Sequence, residues 1–428
     1  MNGFDIRTLL RRLPQLIWFR LVLFSLGAMA LVGLAASAGS LVPEWLAVDF
    51  GQDSALRILQ ILATSMLAVT TFSLTAMIGA YSGAAAGTTP RATQLLIADR
   101  TSQNALSSFL GTFVFAIVGI VALSTGSFTE QGRSLLFLGT LVVIAIVVIT
   151  LLRWIQHLTT FGRVPDVLDR VEAAATDAIC AYAREPHLGG VPAVEAPSAA
   201  REVRATAPGC VTGLDMSGLQ AVGEQAGVAV HVATLPGIAV GTGTVLARVT
   251  GEADDDVDEA VRKAFRVENH RTYEQDPRLG LVALAEIGSR ALSPATNDPG
   301  TAVEALNALQ RVLTRALTTE PVDGERFPAV HVPTVDFEDM LEDALRPVAR
   351  DGAAIVEVGL RIQRVIGDLI AISTYGHEAA ALRAVSERTA ARAARELVDE
   401  RDAELVRLAA LEARRTPPMP RGNWAERL

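Results

Sequence analysis

The chain has 428 residues, half of them hydrophobic, and a mean hydropathy of +0.33, which fits two or three domains and raises the prior for a membrane protein. A formal net charge of −9 argues against nucleic acid as a partner, and two distant cysteines, Cys180 and Cys210, offer neither a disulfide framework nor zinc-ligand spacing. The single lysine, Lys263, leaves no G-K-[ST] phosphate loop and no hairpin-tip lysine for biotin or lipoate, so no cofactor is expected.

Four apolar runs precede residue 155, and charge dominates after it. They lie at about 16–38, 58–80, 106–124 and 135–152, each near the ~20 residues that cross a bilayer core as a helix. A basic start and Ala36-Ser37-Ala38 imitate a signal peptide, but the first run is longer than such a segment and three more follow. Basic residues collect at the amino terminus, in the second loop (Arg91, Arg100) and at the exit (Arg153, Arg163), whereas the first loop carries only Glu44, Asp49 and Asp53. That asymmetry places both termini in the cytoplasm.

In the second span Thr64, Thr71 and Thr75 share one helical face, which reads either as helix packing or as the lining of a pore. Ser107, Gly111 and Gly119 put small residues on one face of the third span, as tight helix contact requires. Just before that span, Asp99, Arg100, Gln103 and Asn104 fall on a helical extension within reach of the soluble half, a candidate interdomain contact.

Residues 161–200 read as a connecting helix and linker. Short alternating runs broken by Pro236-Gly237 and Gly241–Gly243 make 201–252 a small β domain, a barrel or sandwich. Helical periodicity then dominates 253–415, read as a helical bundle, before a loose tail at 416–428. The predicted fold is thus four transmembrane helices over 1–160 followed by a cytoplasmic α+β domain.

The densest polar chemistry lies at 271–302. Asp276-Pro277 and Asp298-Pro299 each set a cap acceptor before a proline at the first helical position, predicting helices over 277–292 and 299–317 joined as a hairpin. Arg271, Thr272, Glu274, Gln275, Asp276, Arg290, Ser293, Asn297, Asp298 and Thr301 form the candidate polar site. Capping accounts for the aspartates but not for Arg271, Gln275, Arg290 and Asn297. Six histidines, His157, His187, His231, His270, His331 and His377, are scattered without an H-E-x-x-H pair, and no G-x-S-x-G occurs, so neither a metal site nor a catalytic set is expected.

With R-T-Y-E-Q-D-P followed by S-R-A-L-S-P-A-T-N-D-P-G-T-A, the chain resembles a bacterial family of predicted membrane proteins of undefined function. The resemblance extends to Pro90-Arg91 and to D-R-T-S-Q-N before the third span, and it implies four amino-terminal spans with a cytoplasmic domain. Ala295 and Gly300 depart from the family pattern. Together these features predict a non-enzymatic, homo-oligomeric protein whose partners are the lipid bilayer and further copies of itself, with an ion pore gated by the cytoplasmic domain as the sharper form. The alternative is a membrane-tethered sensor or scaffold that binds a small ligand or a partner protein near Arg271 and Asp298. An enzyme using Asp276 or Asp298 as base is the weakest reading, since no nucleophile or metal set stands beside them.

Overall fold

The computed structural model describes residues 22–23, 25–27, 29–30, 32–33, 52–97, 99–125, 130–322 and 324–418. They divide into two compact units. One holds the residues up to Ala86 and Thr93–Asp166; the other holds Gly87–Ala92 and everything from Val167 onward.

The first unit is helical. Helix α1 (Gln52–Gly87), the short α2 (Pro90–Ile97), α3 (Arg100–Ser124) and α4 (Glu130–Thr160) follow in order. Three stretches, Ser54–Gly87, Arg100–Ser124 and Gly132–Thr160, are long and apolar enough to cross a membrane. They correspond to the second, third and fourth expected spans. Most of the expected first span, 16–38, lies outside the described residues, and the part that is described is helical.

Lipid tails are as apolar as leucine, so close packing and hydrogen bonds must hold such helices together. The small face of α3 serves this purpose: Ser107, Gly111 and Gly119 are buried, and a Cβ on Gly119 would come within 3.1 Å of Leu59 on α1. Around this contact Phe109, Phe115, Leu136 and Met66 form the apolar core. Trp154, whose position in the sequence suggests an interfacial residue, is fully buried instead and donates its indole N–H to Ser73 at 2.9 Å, tying α4 to α1. A tryptophan in such a core needs a partner for that N–H, and Ser73 supplies it.

The second unit mixes sheets and helices. After α5 (Val164–Arg184), strands β1 (Gly190–Pro192), β2 (Arg201–Arg204), β3 (Gly209–Leu214), β4 (Ala229–Val232), β5 (Ala239–Val240) and β6 (Val245–Thr250) are interrupted only by α6 (Met216–Ala226). Helix α7 (Asp255–Ala264) begins with acidic residues behind an Asp254 cap, ends with Arg262 and Lys263 in agreement with the helix dipole, and runs straight into β7 (Phe265–Glu268).

The strands form a five-stranded mixed sheet in the order β1-β8-β4-β6-β2 and a three-stranded antiparallel sheet in the order β5-β3-β7, with β8 at Phe327–Val332. Both sheets contribute to one apolar core with Val211, Val230, Leu246, Val261 and Val330. The region 201–252, read as the whole β domain, supplies β2 to β6, while β1, β7 and β8 come from the expected linker and helical domain. Short strands flanked by helices carry little local signal, and their pairing is non-local.

The remaining helices are α8 (Leu279–Ala291), α9 (Pro299–Thr318), α10 (Phe337–Asp351), α11 (Val356–Ile372), α12 (Gly376–Glu396) and α13 (Glu400–Arg415). Helix α8 packs on both α9 and α10, and its Gly280 meets α5 so closely that a Cβ would lie 2.3 Å from that of Ala175.

Candidate functional site

The polar segment is built around Asp276, which is 1% exposed. Arg271 grips its carboxylate with both ends of the guanidinium, Nε to Oδ2 at 2.7 Å and Nη2 to Oδ1 at 3.0 Å. The same Oδ1 accepts the backbone N–H groups of Arg278 at 3.0 Å and Leu279 at 3.1 Å. Helix α8 therefore starts at Leu279, two residues later than the Asp-Pro signal predicts, because Asp276 caps it across an intervening turn. On its other side the carboxylate is pressed by Gly237 at φ +92, where a Cβ would stand 2.6 Å from Oδ2. A buried carboxylate with a bidentate arginine and two backbone donors is satisfied, and it is poorly placed to serve as a base.

Gln275 has an equally specific structural task. Its amide oxygen accepts the N–H of Leu214 at 2.8 Å and its amide nitrogen donates to the carbonyl of the same residue at 3.3 Å, so one side chain completes both backbone bonds at the end of β3. Glu274 receives Arg266 at 2.6 Å, and the hydroxyl oxygen of Thr272 is buried without a hydrogen-bond partner.

Beyond α8 the chain closes a tight loop. The carbonyl of Ser293 accepts the N–H groups of Thr296 at 3.0 Å and Asn297 at 2.8 Å, and Asp298 N–H donates to Ala291 at 2.8 Å. Asn297 has φ +48, the left-handed conformation that asparagine tolerates better than other side-chain-bearing residues. Asp298 caps α9, accepting Thr301 N–H at 3.0 Å and Thr301 Oγ at 2.6 Å. The Thr301 hydroxyl and backbone N–H hold this exposed carboxyl below its ordinary pKa.

The expected site thus separates into two parts. Arg271, Gln275 and Asp276 lock the entry to α8 onto the sheets, while Ser293, Asn297, Asp298 and Thr301 shape the turn into α9. Arg290 is exposed at the end of α8. It lines a cavity of about 540 Å³ together with Thr89, Glu286, Ser289, Ser293 and Asp351.

Sequence reasoning missed most of this cavity. Glu286 pairs with Arg91, and Tyr273 donates its phenol to the Arg91 carbonyl at 3.2 Å. Burial, followed by the charge of Glu286, pushes the Tyr273 phenol pKa up, so it remains a donor. Ser289 donates to Asp351, whereas Glu286 Oε2 and Thr89 Oγ are buried without partners. The available signal was Pro90-Arg91, quoted above within the resemblance. Local pattern could not show that Gly87–Ala92, a short link between two span-like helices, belongs to the second unit, with Thr88 and Ala92 fully buried.

The other candidate residues lie in the first unit. Thr64, Thr71 and Thr75 are exposed, and each hydroxyl bonds back to a carbonyl of its own helix, at 3.0, 2.9 and 3.0 Å from the residue four positions earlier. The same face carries Ala68, Gly79, Ser82 and Ala86, all exposed and small. Asp99 caps α3 through Ser102 N–H at 2.7 Å and meets His157 Nε2 at 3.0 Å, while the Gln103 amide donates to Ile97 at 3.3 Å. The His157 contact ties the start of α3 to α4 inside one unit. Arg100 and Asn104 lie in the first turns of α3.

His231 and His331, paired across the parallel strands β4 and β8, stack at 4.5 Å with nearly parallel rings. Burial first, then the neighbouring imidazole, lowers the His231 pKa. Parallel stacked rings direct their lone pairs side by side rather than at one point, which suits a shared metal ion poorly. Among the described residues no three His, Cys, Asp or Glu side chains converge as metal ligands.

No curated protein and no solved structure matches the chain. A family model described as "Predicted membrane protein (DUF2254)" matches residues 15–368, well over half of the sequence. The chain therefore belongs to this family of predicted membrane proteins of unknown function.

Proposed function

We propose that this is a homo-oligomeric, non-enzymatic protein of the bacterial inner membrane, with both termini cytoplasmic, in which the second unit governs the membrane helices as an assembly or gating domain. The observation that carries this reading is the assignment of Gly87–Ala92. The link between two span-like helices is built into the second unit, held by Glu286 on Arg91 and by Tyr273 on the Arg91 carbonyl. A change in that unit would therefore act on the ends of both helices through the chain itself.

Self-association is supported by the exposed small-residue face of α1. The hydroxyls of Thr64, Thr71 and Thr75 are already satisfied within the helix, so these residues can approach another helix closely without leaving their hydroxyls unpaired in lipid. An ion pore is the sharper form of the proposal, with this face turned to an axis. The test is reconstitution of the full chain in liposomes, with particle mass and ion flux measured on one preparation. Oligomeric particles that conduct are expected; monomers that pass no ions would remove the proposal.

A second reading is favoured by the cavity beside Glu286. Two buried polar atoms without partners, Thr89 Oγ and Glu286 Oε2, belong to residues lining a space of about 540 Å³. A small ligand with hydrogen-bond donors would satisfy them and make the protein a membrane-tethered sensor. Glu286→Gln should then abolish a ligand-dependent rise in unfolding temperature seen in the unaltered chain.

A further inference from the structure

Helices α10 and α12 lie side by side and enclose a groove of about 430 Å³. On α12, Arg388, Arg392 and Arg395 recur at spacings of four and three, so all three share one helical face. Arg346 reaches the same groove from α10, and the floor is apolar, with Leu341 and Val385 buried.

The balance of charge in this groove is unlike that of the chain. Four guanidiniums line it against one carboxylate, Glu342, in a protein of net charge −9. Glu342 takes Arg388 at 2.7 Å and Arg346 at 3.7 Å, and its capacity is then largely used. The nearby Asp351 is engaged mainly by Arg350 and by the Ser289 hydroxyl, with Arg392 acting on it at longer range. Opposite charges at these spacings support a helix, and like charges there repel. An anion placed between the guanidiniums turns that repulsion into attraction.

We propose that the groove between α10 and α12 binds an organic phosphate, with its phosphate groups on Arg346, Arg388, Arg392 and Arg395. Guanidinium forks match phosphate oxygens two at a time, a geometry that lysine lacks. A terminal phosphate carries about −1.5 to −2 at neutral pH and the diester of a lipid headgroup a single negative charge, so either offsets part of the excess positive charge. The same chemistry is offered by a soluble nucleotide and by the headgroup of an anionic lipid.

The test uses the full chain in a neutral detergent at physiological salt. Three probes are titrated separately: ATP, dioctanoyl phosphatidylglycerol and, as a neutral-headgroup control, dioctanoyl phosphatidylcholine. Saturable binding of ATP or of the phosphatidylglycerol is expected, and which of the two binds identifies the source. The double variant Arg388→Gln/Arg392→Gln should weaken it about tenfold or more, as loss of two charged donors implies. Arg395→Gln, an exposed single change that leaves the fold alone, should weaken it by a smaller factor. Arg407→Gln, on α13 and paired with Glu404, should leave it unchanged. Binding of neither anionic probe, equal binding of the phosphatidylcholine, or equal losses in the groove variants and Arg407→Gln would overturn the proposal.

Discussion

Asp276-Pro277 and Asp298-Pro299 are the same dipeptide before two successive helices, and the fold uses them differently. Asp298 is an exposed cap that serves its own helix through Thr301. Asp276 is buried, holds a bidentate arginine, caps α8 across a turn and is pressed by the Pro236-Gly237 turn of the β region. Identical local chemistry thus gives a surface detail in one place and a junction between helices and sheets in the other. What distinguishes them is the company each keeps at long range.

The two can be separated by substitution. Asp276→Ala should have the largest effect, about 3 kcal/mol of lost stability, the lower end of the range for breaking a buried ion pair, because the Arg271 left behind is only a quarter exposed. Denaturant unfolding of the second unit measures it, and a loss below about 1 kcal/mol would make the two aspartates equivalent after all. Gln275→Ala follows at about 1–2 kcal/mol, since it leaves both backbone groups of Leu214 unpaired.

Asp298→Ala should cost about 1 kcal/mol, the ordinary value of a lost cap, and should be felt mainly as faster amide exchange in the first turn of α9. Because Thr301 depresses the Asp298 pKa, the carboxylate's contribution is complete above the ordinary value near ~3.9 and is lost as the pH falls through the lower folded-state value. The substitution should flatten that part of the acid-unfolding profile.

Much of this organisation was legible in sequence. Apolar runs of span length located three helices that suit a membrane, and the Asp-Pro signals found α8 and α9 to within two residues. Small residues on α3 marked a buried face correctly. The roles of Arg271 and Gln275 were not legible, because each depends on a partner fixed by tertiary structure: the position of a buried carboxylate for one, the end of a β-strand for the other. Strands β7 and β8 escaped for the same reason, and so did the stacking of His231 on His331, which requires two strands distant in sequence to lie in parallel register. Capping and hydropathy are local signals; strand pairing and side-chain-to-backbone bonds across domains are not.

Gly87–Ala92 groups with the second unit, and the proposed function requires that the state of that unit reach the helices on either side. Hydrogen exchange on the full chain carrying Asp276→Ala tests it most directly. Amides in 87–92 should lose protection in step with α8, while those of α3 between 106 and 124 keep theirs. Retained protection at 87–92 while α8 opens would contradict the account.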